Sequence, residues 1–256
     1  MTVARDTWFM IGRQVRNLLR QPIWIVMMLV QPMIWLILYG QLFSKVAALR
    51  GGAGSYVEFL APGVIIMNAF FGATWSGMAM IDDLKRFVIA RFMTTPVSRL
   101  SIVLSQIVRA GVTAMIQALV ILLVGLALGV RVHGGALGWL VVFLAAALLA
   151  CAFAGISQGL ALLMRREESM IAVANFIGLP LMFLSTILIG RNTRPHWIHV
   201  SSRFNPVDWG AVAARNAVVF GGPWGDTFAH LGYLLGLTAV TSAFATWALR
   251  RYQQSL

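Results

Sequence analysis

Six long apolar stretches divide this 256-residue chain, and the links between them hold most of its charge. The stretches run over residues 23–43, 57–81, 101–130, 136–164, 170–189 and 231–249. A hydrocarbon core about 30 Å thick needs about 20 apolar residues at 1.5 Å of helical rise each. The first five stretches meet or approach that length with no interior Lys or Asp; Arg109, early in the third, is the one charge singled out within them. A helix that is apolar on every face over such a length is matched to lipid rather than to a water-covered core. The predicted fold is therefore an all-α integral membrane protein with six transmembrane helices.

Composition supports this reading. Hydrophobic residues make up 59% of the chain and charged ones 11%, against about 25% charged in ordinary soluble domains. That is too little polar surface to cover a soluble protein. The net charge of +12 would suit a nucleic-acid partner, but the basic residues are spread through short links, where they serve membrane orientation better. The single cysteine, Cys151, lies in the fourth stretch and has no partner for an intramolecular disulfide or a metal site. It reads as a small buried hydrophobe. The first stretch is too long for a signal-peptide core and follows a basic segment, so it is expected to stay in the mature chain.

Charge asymmetry sets the expected orientation. Arg5, Arg13, Arg16, Arg20, Lys85, Arg86, Arg91, Arg99, Arg109, Arg165, Arg166, Arg250 and Arg251 fall on one side, thirteen of the twenty bases. Lys45, Arg50, Arg131, Arg191, Arg194, Arg203 and Arg215 fall on the other. Bases accumulate on the cytoplasmic side, which places both termini in the cytoplasm.

Two links and the N-terminus are more than connectors. Residues 5–20 place Trp8, Ile11, Val15, Leu18 and Leu19 at helical spacing, with Arg13, Arg16 and Arg20 on another face. Such a helix lies in the membrane interface, either as a basic anchor or as an elbow that docks a partner. Pro22 ends it. After the second stretch, Asp82-Asp83-Leu84-Lys85-Arg86-Phe87 leads through Arg91 to Thr95-Pro96-Val97-Ser98-Arg99. It predicts a charged amphipathic helix on the cytoplasmic side, with the two acids at its start, where the macrodipole favours them. A mere crossing needs only a few residues, so this element is expected to be a handle for another protein. Residues 191–229 are too long for a turn and too apolar for a solvated loop, with Trp197, Ile198, Phe204, Trp209, Val212, Val218, Phe220 and Trp224. Backbone at that depth must be covered by protein or line a cavity.

The run Met93-Thr94-Thr95-Pro96-Val97-Ser98-Arg99-Leu100, placed after a second span and a charged helix, resembles the type 2 permease family of ABC exporters. That family includes daunorubicin-resistance-like and polysaccharide-export permeases. The N-terminal helix closing on Arg20-Gln21-Pro22 looks like the family's elbow helix, and the segment from Trp197 to Phe220, with Asn205-Pro206 and Arg215-Asn216, is similar to the family's stretch before the last span. The resemblance runs nearly the whole chain in order. One departure is that many relatives carry Glu-Arg-rich and Gly residues early in the charged helix, where this chain has Asp82-Asp83 and no Gly.

The resemblance implies residues 1–22 as a cytoplasmic elbow helix and 23–256 as one six-span permease domain. Within it, residues 82–98 would be the coupling helix seated on an ATPase subunit, and residues 191–229 would form short re-entrant helices shaping an outer gate. Coupling would rest on Asp82, Asp83, Lys85, Arg86, Phe87, Arg91, Thr95, Pro96 and Arg99, with Arg13, Arg16 and Arg20 of the elbow. The outer gate would use Trp197, Asn205, Pro206, Trp209 and Arg215. Candidate linings of the path, by polarity or aromaticity within spans, are Asn68, Phe71, Trp75, Asn175 and Phe183. A bacterial cytoplasmic membrane is the implied location.

No GxxxxGK[ST] phosphate loop occurs in the chain. An ATP-driven cycle would need ATP and Mg on a separate ATPase dimer, and two permease chains to enclose a pathway. The chain itself is expected to be non-catalytic, to bind no cofactor and to hold no metal. Its Met- and Phe-rich interior suits a hydrophobic or amphiphilic cargo; a polysaccharide or lipid-linked glycan is the alternative. An enzyme reading starts from Gly155-Ile156-Ser157-Gln158-Gly159, a G-x-S-x-G match, with His230 at the start of the last stretch. This vaguely resembles a rhomboid intramembrane protease. A Ser–His pair needs contact at about 3 Å, whereas the expected topology puts Ser157 about 30 Å below the outer surface and His230 beside it. Close helix packing explains Gly155, Ser157 and Gly159 better. His133, His196 and His199 lack metal-ligand spacing, and Glu167 and Glu168 are expected to pair locally with Arg165 and Arg166.

Overall fold

The computed structural model describes residues 12, 22–43, 45, 54–85, 99–187 and 196–254. The elbow bases Arg13, Arg16 and Arg20 lie outside the described residues, as do Arg86, Phe87, Arg91, Thr95 and Pro96 of the expected coupling helix. No strand occurs among the described residues.

Among the described residues, each of the six apolar stretches is helical over most of its length. Helix α1 (Pro22–Ile34) passes through a π turn (Trp35–Tyr39) into a last α turn (Gly40–Leu42). The second stretch is α2 (Tyr56–Thr74) and α3 (Ser76–Lys85), parted at Trp75. Then come α4 (Arg99–Ala127), α5 (Gly135–Met164), α6 (Glu167–Phe183), α7 (His196–Ser202), α8 (Pro206–Arg215) with a π turn over Asn216–Phe220, and α9 (Trp224–Gln254). Tyr56–Lys85, Val103–Ala127, Gly135–Met164 and Trp224–Tyr252 are each long and apolar enough to cross a membrane. Helices α1 and α6 are shorter.

Two boundaries differ from expectation. The last helix begins at Trp224 rather than near residue 231, because Asp226 sits in its first turn and the Thr227 hydroxyl donates to Pro223 O at 2.9 Å. A carboxylate there suits the unpaired N–H groups and positive dipole end of a helix start, while the Thr227 hydroxyl, as a donor, serves the Pro223 carbonyl. The second correction concerns Asp82 and Asp83. They do not open a new helix; they lie in the last turns of α3, continuous with the second span.

Helix α5 is the hub, packed against α2, α3, α4, α8 and α9. Its buried face is rich in small residues, including Ala145, Ala146, Ala150, Ala154, Gly155, Gly159 and Ala161. Lipid supplies no hydrophobic drive between helices, so close backbone approach carries the packing. A Cβ on Gly155 would meet Thr241 at 2.8–3.0 Å, backbone included, and one on Gly159 would meet the Phe244 ring at 2.3 Å. On the other sides, Gly111 approaches Cys151 Sγ, and Gly77 approaches the Ser157 carbonyl and hydroxyl. Cys151, expected to be a buried hydrophobe, is half-buried, with its thiol donating to Ile107 O at 3.5 Å.

Ser157 has a further task. At the Trp75 break its hydroxyl donates to Thr74 O at 2.5 Å and accepts from Gly77 N at 2.9 Å, while Ser76 Oγ donates to Ala73 O at 2.7 Å. The backbone groups freed by the break are therefore met by a side chain of α5, as the absence of water within the bilayer demands. His230 is engaged elsewhere, with Nδ1 2.7 Å from Asp226 O and its ring edge-on to Tyr233.

Overfilling the α5–α9 contact should destabilise the bundle. Gly155→Leu is expected to cost about 1–3 kcal/mol, read as a lower melting temperature of the detergent-solubilised protein, whereas Gly236→Leu, with open space at its Cβ, should leave it within experimental scatter. Ser157→Ala should also lower the melting temperature, by the about 1–3 kcal/mol that follows from leaving buried backbone groups unmet.

Candidate functional site

One end of the bundle carries a buried cap. Asn205 is the N-cap of α8: its Oδ1 accepts from Val207 N at 3.0 Å, and Pro206 follows at the first helical position. Its Nδ2 donates to Leu181 O at 2.6 Å, tying α8 to α6. Asp208 and Arg215 stand two turns apart on α8, so they share a face, and both reach the turn that follows α6. Asp208 Oδ1 accepts from Thr186 N at 2.6 Å. Arg215 donates to Thr186 Oγ1 at 3.2 Å, Thr186 O at 3.0 Å and Ile187 O at 3.3 Å, and its guanidinium lies 3.9 Å from the Phe59 ring centroid. Asp208 and Arg215 are both buried, and the hydrogen bonds and the ring face offset the cost of placing charge there.

The cap continues into the neighbouring spans. The amides of His133 and Gly134 donate to Val218 O and Ala217 O at 2.9 and 3.1 Å. Glu58, buried in the first turn of α2, accepts from Gly54 N at 2.9 Å and lies 3.4 Å from His133 Nδ1. Residues Gly210 to Val219 are buried within the protein. Of the gate candidates, Asn205, Pro206 and Arg215 are thus brought together. Trp209 donates its Nε1–H to Arg203 O at 2.7 Å and stands by Tyr233, while Trp197 is exposed.

The opposite end gathers charge. Lys85 is ion-paired with Glu167, joining the end of α3 to the start of α6. Gln106 donates to Asp83 Oδ2 at 3.3 Å, joining α4 to α3. Glu167 therefore pairs across the bundle rather than with its neighbours Arg165 and Arg166. Arg165 turns left-handed at φ 57° and carries its guanidinium over the Tyr252 ring, 4.7 Å from the centroid. Arg99 is the first residue of α4.

The path candidates scatter. Trp75 is exposed and lines a cleft between α2–α3 and α4 with Asp82 and Arg109. Asn68 and Phe71 are half-buried, with Phe71 against Phe70 at 5.3 Å. Asn175 and Phe183 are exposed on α6, and Asn175 Nδ2 donates to Ile171 O of its own helix at 3.0 Å. A separate apolar cavity of about 220 Å³ lies among α2, α5, α6, α8 and α9, lined by Phe70, Phe153, Ile156, Ala174, Gly178 and Leu237. Sequence reasoning passed over Asp208, Ser157 as a splint and the cleft at Arg109. An acid in the first turn after Asn205-Pro206 was the available signal for Asp208.

Comparison with known proteins places this architecture. The ABC-2 type transporter family matches residues 5–219, and the chain belongs to that family. The ycf38 protein of Cyanophora paradoxa, whose name describes a transport permease, is 31% identical over 80% of this chain and 71% of its own length. The daunorubicin resistance ABC transporter permease protein DrrB1 of Streptomyces coeruleorubidus is 24% identical over 91% of this chain and 80% of its own. DrrC of Mycobacterium tuberculosis, named for doxorubicin resistance, is 26% identical over 64% of this chain and 59% of its own.

The cap supplies a direct test. In Asp208→Ala the Thr186 amide loses its acceptor. Its hydrogen exchange should quicken about tenfold or more, matching the about 1.5–3 kcal/mol of a charge-assisted hydrogen bond, while amides in the middle of α5 keep their protection by mass-spectrometric exchange.

Proposed function

We propose that this chain is the transmembrane subunit of an ATP-driven exporter that moves a hydrophobic or amphiphilic molecule, such as a drug, lipid or glycolipid, outward across a bacterial cytoplasmic membrane. The observation that carries this reading is the family match over residues 5–219, joined to relatives named for daunorubicin and doxorubicin resistance. The chain contains no phosphate loop of its own, so the energy comes from a separate ATPase dimer. Two permease chains enclose the path, with both termini cytoplasmic and six crossings. The cavity lined by Phe70, Phe153 and Leu237 is almost wholly apolar, which favours an amphiphile over a polysaccharide.

In the proposed cycle, closure of the ATPase dimer presses on residues 82–98 and on the elbow helix. The motion enters the bundle where Lys85 meets Glu167 and Asp83 meets Gln106. The decisive experiment co-expresses the chain with a candidate ABC ATPase subunit and measures ATP hydrolysis and dye efflux in proteoliposomes. Arg91→Glu should lower ATPase co-purification and abolish drug-stimulated hydrolysis while the permease stays monodisperse. Full co-purification and stimulation in that variant would refute the assigned coupling element.

A further inference from the structure

Beyond Asp82 and Trp75, the cleft between the second and third spans is lined by residues to which the transport reading gives no role. It encloses about 380 Å³ and runs from Asp82 and Arg109 at the charged end to Ala69 and Gln117 deeper in the bundle. Small residues recur along its walls: Gly72, Ala73, Ala110 and Ala114 alternate with the larger Met78, Thr113 and Gln117. Trp75, exposed, stands along it. Among the described residues no carboxylate oxygen lies within ion-pair distance of Arg109. Asp83 attracts it through space but takes the hydrogen bond of Gln106.

Depth identifies what such a groove can hold. From Arg109 to the end of α4 at Ala127 no further charge occurs, a distance of about 27 Å by helical rise. That is close to the thickness of the hydrocarbon core. A helix that leaves the hydrocarbon at Ala127 brings Arg109 to its opposite boundary, within side-chain reach of one leaflet's phosphates, with a slot running from it into the apolar region. A cation beside the groove and an acid near its mouth match a headgroup carrying both signs.

We propose that this cleft is a binding site for an amine-bearing phospholipid: Arg109 takes the phosphate, Asp82 faces the ammonium, and an acyl chain lies along Gly72, Ala110 and Ala114. The site requires neither ATP nor transport. Native mass spectrometry of the delipidated full chain in detergent tests it, with phosphatidylethanolamine, phosphatidylglycerol and diacylglycerol of matched chains added singly.

Phosphatidylethanolamine should be retained best, phosphatidylglycerol less, and diacylglycerol least. Arg109→Gln should reduce retention of both phospholipids about tenfold, the loss of one charge-assisted hydrogen bond, and Arg109→Lys should restore most of it. Asp82→Asn should bring phosphatidylethanolamine down to the level of phosphatidylglycerol. Soluble glycerophosphoethanolamine, which lacks the chains, should fail to displace the lipid; displacement would mark a free phosphate site instead. If Arg109→Gln does not yield monodisperse protein, Ala110→Trp fills the groove with the arginine intact and should lower retention as well. Equal retention of diacylglycerol, or unchanged retention in Arg109→Gln and Ala110→Trp, would overturn the proposal.

Discussion

Within a bilayer there is no water to meet a stray backbone group, so every interruption of a helix must be answered by another part of the protein. The fold follows from how that demand is met in two places. At the Trp75 break, Ser157 bonds both Thr74 O and Gly77 N. At the cap, Asn205, Asp208 and Arg215 together take up an amide and carbonyls of the segment from Leu181 to Ile187, where α6 ends. In both cases a polar side chain that would be unremarkable in water becomes an obligatory partner. Breaks of this kind allow the chain to leave straight-helix geometry, and only such breaks let α8 enter the bundle.

The same demand separates rigid from loose elements. Helix α5 is enclosed by five others through residues no larger than needed, which leaves little freedom for rearrangement. Helices α1 and α6 instead show broad apolar faces: Met27, Ile34, Leu38 and Leu42 on one, Phe176, Ile177 and Phe183 on the other. Lipid or a second permease chain can cover those faces at no cost in unmet polar groups, since each helix satisfies its own backbone. A dimer assembled through either face would leave the hub undisturbed.

How far the sequence alone reaches follows from which signals are local. Helix positions were legible because apolar length is a property of consecutive residues, and each of the six stretches is helical over most of its described length. The cap at 205–220 was legible in outline, because Asn205-Pro206 is a local start signal and the apolar run after it has no soluble explanation. What stayed hidden depends on residues far apart in the chain. Ser157 read as a small residue for close helix packing; its bonds to Thr74 O and Gly77 N depend on α2 and α3 being brought beside it. Glu167 looked paired to its neighbours, yet Lys85 is its partner across the bundle. Asp82 and Asp83 carry the charge pattern of a helix start but fall at a helix end, where Gln106 rather than the macrodipole stabilises Asp83.

These placements give α6 a particular mechanical position. Its first turn is held by the Lys85–Glu167 pair, and the turn after its last residue is held by Asp208 and Arg215. Between those ends it borders the apolar cavity and packs only lightly on the hub. A helix is stiff along its axis, and a rod fixed at both ends and free along its middle transmits displacement rather than absorbing it. In the proposed cycle a push on the end of α3 therefore reaches the cap through α6, without any rearrangement of the α5 core. The pair at the charged end is solvent-exposed and weak, whereas the cap contacts are buried and strong. Of the two joints that hold α6, the exposed pair is thus the weaker and the buried cap the stronger.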